Sequence, residues 1–277
     1  MTVAVVALAL AAAGLHAGWN VLLKSSGDPL PTSTRSLAAS AAIVTPIALA
    51  GWLATGHPPL PPAGWLVLVA SAAAELFYFI FLSRAYQAGD LSVVYPIARG
   101  TGPLVAVVGG LLILREHLTA LELIGVVALL AGIWSVRRPR LNAGVFPALI
   151  TGLFIGTYTT LDRVGINLGS PWLYGGLLWL LIALFLAGWT RGRPLRRGGG
   201  ENWRTSIAIG LMSAAAYGLV LVALVLAPVA IVAPLRESAI VLVTAWGVWK
   251  LKEREGAVPR LAGAVAIVAG IALIALG

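Results

Sequence analysis

Cysteine is absent from the 277-residue chain, which excludes disulfides, thiolate metal sites and a cysteine nucleophile. Charge is scarce too: Asp, Glu, Lys and Arg make up 10% of the residues, against roughly 25% in a soluble chain. A water-soluble globule is thereby excluded. The three histidines stand far apart at 16, 57 and 117, and the sequence carries no H-E-x-x-H pair, no G-x-S-x-G elbow and no Walker phosphate loop. Those absences argue against an intramembrane enzyme and against ATP-driven transport by this chain alone, and they give no reason to expect a metal or cofactor. No Lys or Arg precedes Lys24, so the apolar start from Val3 to Gly18 lacks the charged head of a secretory signal and reads as a first span.

What is there is mostly apolar, with 60% hydrophobic residues. A spanning helix needs about 20 of them in a row. Unbroken runs such as Leu104–Leu114 and Leu261–Leu276 argue for helices over the alternating strands of a barrel. The pattern predicts an all-α membrane protein with ten spans near 2–23, 34–55, 64–84, 91–113, 119–136, 144–162, 171–190, 205–226, 230–250 and 257–276. Gly, Pro and charged residues punctuate the runs, and the weakest break is the lone Pro228 between spans eight and nine.

The formal charge of +9 does not imply nucleic acid, because the cations flank apolar stretches instead of massing on one wet face. The partner they fit is the lipid bilayer. Of the 19 Lys and Arg, Arg115 and Arg163 lie by even-numbered loops, Arg99 and Arg236 lie inside spans, and all the others lie by odd-numbered loops. The positive-inside rule then puts the odd loops in the cytoplasm and both termini outside.

Shifting the chain by 138 residues superposes Gly14-Leu15 on Gly152-Leu153, Gly18 on Gly156, Pro96 on Pro234, Gly125 on Gly263 and Ala131-Gly132-Ile133 on Ala269-Gly270-Ile271. One constant offset implies a duplication, with halves at 1–138 and 139–277. Five spans per half is an odd number, so the second copy enters the membrane upside down. Inverted repeats are the architecture of secondary transporters, which bind at the midplane between the halves.

The stretch from Gly89-Asp90-Leu91-Ser92 through Tyr95-Pro96-Ile97-Ala98-Arg99-Gly100, followed by Pro103, Arg115-Glu116 and Gly125, resembles the first repeat of EamA-type proteins of the drug/metabolite transporter superfamily. Pro234-Leu235-Arg236-Glu237-Ser238, Lys252-Glu253 and Gly263 resemble its second repeat, and His16-Ala17-Gly18-Trp19-Asn20 with Lys24 is similar to the opening of EamA metabolite permeases. The repeats differ in detail: Val241 stands where Pro103 has its counterpart, and Glu116 aligns with Arg254 unless one residue is gapped. The resemblance implies ten helices, export of small metabolites and termini in the cytoplasm. That orientation is the reverse of the one the loop charges predict.

An ionisable group at bilayer depth costs several kcal/mol, which makes intramembrane charges candidates for function. Glu75 lies midway along span three beside Phe77, Tyr78 and Phe79, with no basic residue before Arg84. Desolvation there disfavours the charged form, which suits a proton-coupling group, or else a permanently protonated carboxyl bonded to a neighbouring helix. Arg99 in span four and Arg236-Glu237 in span nine sit among Pro96, Gly100, Gly102, Pro103 and Pro234, which are expected to break both helices and turn backbone groups toward a cavity. Either arginine can clamp a carboxylate or phosphate, or serve an internal ion pair. Arg99 and Glu237 share one register, 138 residues apart, and are expected to meet across the pseudo-two-fold axis.

His16 and Asn20 share a helix face with Lys24, with Trp19 beside them, giving span one a polar stripe that can line a cavity. Lys24 itself reads as a snorkelling anchor. Tyr78, Tyr95, Tyr158, Tyr217 and Trp246 can form aromatic walls or belong to interfacial belts. Asp162-Arg163 reads as a boundary pair at the end of span six. Gly125–Gly132 and Gly263–Gly270 permit close packing within the chain or a homo-oligomer seam through spans five and ten. The reading is a multi-pass protein of a bacterial cytoplasmic membrane that exports small polar metabolites, amino-acid-like and zwitterionic or anionic, by alternating access. The alternatives are a lipid or lipid-precursor flippase and, of another class, an intramembrane enzyme or a structural membrane protein.

Overall fold

The structure is a computed structural model that describes residues 3–89, 91–135, 143–196, 203–237 and 257–277. Its helices are α1 (Val3–Ser25), α2 (Pro29–Ala54), α3 (Pro62–Ala88), α4 (Leu91–Val108), α5 (Ala120–Ser135), α6 (Val145–Asn167), α7 (Pro171–Trp189), the single turn α8 (Arg193–Arg196), α9 (Trp203–Leu226), α10 (Val229–Arg236) and α11 (Ala257–Leu276). Prolines start α2, α3 and α7, where a missing amide proton costs nothing, and the Ser170 hydroxyl accepts from Leu173 N to cap α7. Six of these helices, α1, α2, α3, α6, α7 and α9, are long and apolar enough to cross a bilayer, and shorter apolar stretches at 97–113, 120–134 and 265–276 occupy spans four, five and ten. Span nine is described as α10 and Glu237; the rest of it, with Trp246 and Lys252-Glu253, lies outside the described residues.

The structure departs from the sequence reading within span four, where Pro96 also lies inside an unbroken helix, and at several span ends, among them the start of α2 at Pro29, five residues before 34. α4 runs unbroken past Gly100, Gly102 and Pro103, and its irregularity comes later, as a π-helical turn at Gly109–Ile113. The two glycines serve packing instead: a Cβ on Gly102 would lie 2.6 Å from Ile155 Cγ2, and one on Gly100 3.1 Å from Trp134 Cε2. α6 continues five residues beyond the expected limit at 162, to Asn167.

The contacts repeat when each helix is exchanged for its counterpart in the other half. α3 packs on α6 and α9 on α1; α2 packs on α9 and α7 on α3; α4 packs on α6 and α10 on α1. The self-related pairs α2–α7, α4–α10 and α5–α11 also touch. In the last of these, a Cβ on Gly125 would lie 2.8 Å from the Gly270 carbonyl oxygen, and one on Gly132 would lie 2.6 Å from that of Gly263. Early meets late, so the equivalent helices run antiparallel and the repeats are inverted. Both glycine faces thus pack against each other inside the chain, the first of the two uses expected for them.

Candidate functional site

Charged side chains from both halves, two from mid-helix and two from the end of α10, form a buried polar centre. Glu75 is 6% exposed, Arg99 3%, Arg236 1% and Glu237 2%. The contact expected from the repeat is present: Arg99 Nη1 donates to Glu237 Oε1 at 3.1 Å, and Arg236 Nε donates to the same oxygen at 3.1 Å. Tyr95 lies under the Arg99 guanidinium, 5.4 Å from ring centroid to Cζ. One carboxylate therefore holds two arginines, but only partly. Arg236 Nη1 and Nη2 are buried with no hydrogen-bond partner among the described residues, and so is Glu75 Oε1.

Three tyrosines form a wall beside this centre. Tyr78 meets Tyr158 edge-on at 5.6 Å between centroids, and Tyr158 meets Tyr217 at 5.7 Å. All three are buried in the core, not set in an interfacial belt. The polar stripe of α1 faces inward as well. Trp19 Nε1 donates to His16 Nδ1 at 2.9 Å, Asn20 Nδ2 donates to the His16 carbonyl at 2.7 Å, and Tyr86 OH donates to Asn20 Oδ1 at 2.6 Å. The His16 Nε2 is buried and has no partner among the described residues.

Two expectations at helix ends are corrected. Asp162 is no boundary residue: it is fully buried, and its carboxylate accepts the hydroxyls of Ser71 at 2.5 Å, Tyr174 at 2.6 Å and Tyr217. Four helices, α3, α6, α7 and α9, meet on that one side chain. Lys24 does not reach outward as a snorkelling anchor, because its Nζ donates to the carbonyls of Tyr86 and Gly89 and closes the C-terminus of α3. Arg163 does the same in the other half, donating to the Leu224 carbonyl, while its Nε lies 3.4 Å from Glu116 Oε1. Glu116 in turn accepts Val229 N at 2.9 Å and Ala230 N at 3.0 Å, capping the open amides of α10.

Sequence reasoning missed Asp162, Ser71, Tyr86, Tyr174 and Glu116 as members of these networks. A signal existed for two of them. Ser71 precedes Glu75 by four residues and Asp162 follows Tyr158 by four, the spacing of one helix face.

The sequence profile of the EamA-like transporter family matches residues 3–138 and again 142–276. A solved structure, titled only as the crystal structure of a protein, superposes on 100% of this chain and 98% of its own with a TM-score of 0.73 at 19% identity, a likeness of fold. None of the curated proteins matches the chain.

Proposed function

We propose, because the chain belongs to the EamA-like transporter family, that it is a secondary active exporter of small zwitterionic or anionic metabolites from the bacterial cytoplasm. Transport runs by alternating access around the centre between the halves, which is where inverted repeats place their sites. The observation that carries the substrate class is the open edge of Arg236: two buried guanidinium nitrogens without a partner are matched by a carboxylate or phosphate. Glu237 holds Arg99 and Arg236 side by side, and an arriving anion competes with it for them. Tyr78, Tyr95, Tyr158 and Tyr217 supply aromatic walls for the rest of the substrate, with His16, Trp19 and Asn20 lining the side toward α1.

A thermal-shift screen of purified protein against amino acids, organic acids, phosphonates and amines tests this reading. Saturable stabilisation by one of the anionic or zwitterionic classes, lost in Arg236→Ala, is expected. Stabilisation by amines alone would overturn it. An apolar groove of about 440 Å³, lined in part by Val44, Trp172, Trp179 and Leu221, favours the flippase as a second reading. Stabilisation by a lysophospholipid and by no metabolite would select it.

We assign coupling to a proton carried at Glu75, a buried carboxyl with one oxygen unpartnered. Glu75→Gln keeps the shape and hydrogen-bonding capacity but has no proton to release. In proteoliposomes it is expected to keep exchange without a gradient and to lose the stimulation by a proton gradient. Unchanged gradient dependence would remove Glu75 from the mechanism.

A further inference from the structure

Among the described residues, five buried side chains at the centre can carry charge: Glu75 on α3, Arg99 on α4, Asp162 on α6, and Arg236 with Glu237 at the end of α10. Arg35, also buried, bonds Thr32 and Ser206 near the starts of α2 and α9, toward one end of the bundle. His16 on α1 adds no charge, because its Nδ1 accepts the Trp19 proton and the ring is then neutral with its hydrogen on Nε2. Among the described residues, the other polar side chains bonded to or stacked on these groups are the Ser71 hydroxyl and the Tyr174 and Tyr217 phenols at Asp162, and Tyr95 beneath Arg99. Three carboxyls against two guanidiniums leave one negative charge in excess. One proton cancels it.

Where that proton sits follows from the hydrogen bonds. Glu237 is bonded by both arginines. Asp162 accepts three hydroxyl protons, an arrangement that favours the carboxylate. Glu75 has an oxygen with no donor among the described residues. The two acids lie on α3 and α6, which pack against each other. Ser71, which bonds Asp162, is one turn, about 6 Å along the axis, from Glu75, and Tyr158, one turn before Asp162, touches Tyr78 on the same stretch of α3. Two carboxylates along one helix contact in an apolar interior repel each other, and a proton on one of them removes that repulsion.

We propose that Glu75 and Asp162 form a carboxyl pair that holds the single transported proton, with Asp162 as the anionic member whose charge makes Glu75 keep it. The proposal rests on the proton-coupled reading above and deepens it by adding Asp162. In release, the Glu75 O–H bond breaks, the bonding electrons stay on the carboxylate, and the proton passes to water in the open cavity. The centre is then negative until a proton returns.

Infrared difference spectroscopy of the full chain in lipid nanodiscs reads the carbonyl stretch of a protonated carboxyl separately from that of a carboxylate. The wild type is expected to show one buried protonated carboxyl, which Glu75→Gln removes. Asp162→Asn is expected to remove it as well, although Glu75 is still present, because the centre is then neutral with Glu75 ionised. A protonated carboxyl persisting at full intensity in Asp162→Asn would overturn the pairing. Should Asp162→Asn fail to fold for loss of its hydroxyl contacts, Ser71→Ala, which takes one donor from Asp162, is expected to shift the protonated-carboxyl band, and a band unchanged in position and intensity would overturn the pairing. Absence of the band in the wild type would also overturn the proposal. No substrate is needed for any arm. A screen without hits therefore sinks the substrate class and leaves the pair standing, whereas the expected bands with gradient-independent transport would sink proton coupling.

Discussion

Breaking the Arg99–Glu237 contact from one side leaves a buried charge unpaired, a loss of about 3–5 kcal/mol. Arg99→Ala and Glu237→Ala are each expected to lower the melting temperature markedly and abolish transport. Exchanging the two, Arg99→Glu with Glu237→Arg, restores the pair but sets guanidiniums at 236 and 237 beside each other. It should recover stability in part and transport not at all. A double exchange as unstable as the sum of the single changes would show that the residues do not interact. This pair was legible in the sequence because one repeat offset places both members. Asp162 was not: beside Arg163 and ahead of Gly165 it reads as the polar end of a span, and its partners lie 91, 12 and 55 residues away. Hydropathy along the chain registers the charge but not the hydroxyls that other helices bring to it.

Where two helices touch through glycine, a side chain has no room to yield. A Cβ on Gly132 would meet backbone, the Gly263 carbonyl oxygen and Ile267 N within 2.9 Å, so Gly132→Leu is expected to destabilise the α5–α11 pair by about 1–3 kcal/mol or more. Gly14, with nothing within 4 Å of its Cβ position, is the control. Gly14→Ala should leave the melting temperature unchanged or raise it, as a helix-interior glycine gains about 0.5–1 kcal/mol on becoming alanine. Equal losses at both positions would refute the close approach. A different contact governs the start of α10. Glu116→Gln keeps at most one acceptor for the amides of Val229 and Ala230 and releases Arg163, so hydrogen exchange at those two amides is expected to speed up at least tenfold while the α5–α11 amides stay protected. Helix positions and the inverted duplication were readable from apolar runs and the constant offset. The caps were not, since Glu116 joins a loop of one half to a helix of the other.

At the scale of the whole chain, the distribution of cations predicts how the bundle sits. Odd loops carry most of the Lys and Arg, and membrane insertion retains such loops in the cytoplasm. With no native cysteine to interfere, Pro58→Cys and Arg193→Cys, both at exposed positions, can be labelled in intact cells with an impermeant thiol reagent. The charge bias predicts labelling at 58 and protection at 193. The opposite pattern would show that the orientation implied by the family overrides the bias.

The carbonyls that Lys24 and Arg163 cap, those of Tyr86 and Leu224, stand 138 residues apart, the offset of the repeat itself. Because the halves are antiparallel, the same first-to-third-helix tie is made once at each membrane face. Under the alternating access proposed above, two conformers built by exchanging such equivalent contacts differ in energy only through the differences between the halves, of which lysine against arginine at the two ties is one. A bias of a few kcal/mol, from a proton or one bound anion, would then be enough to reverse which population dominates.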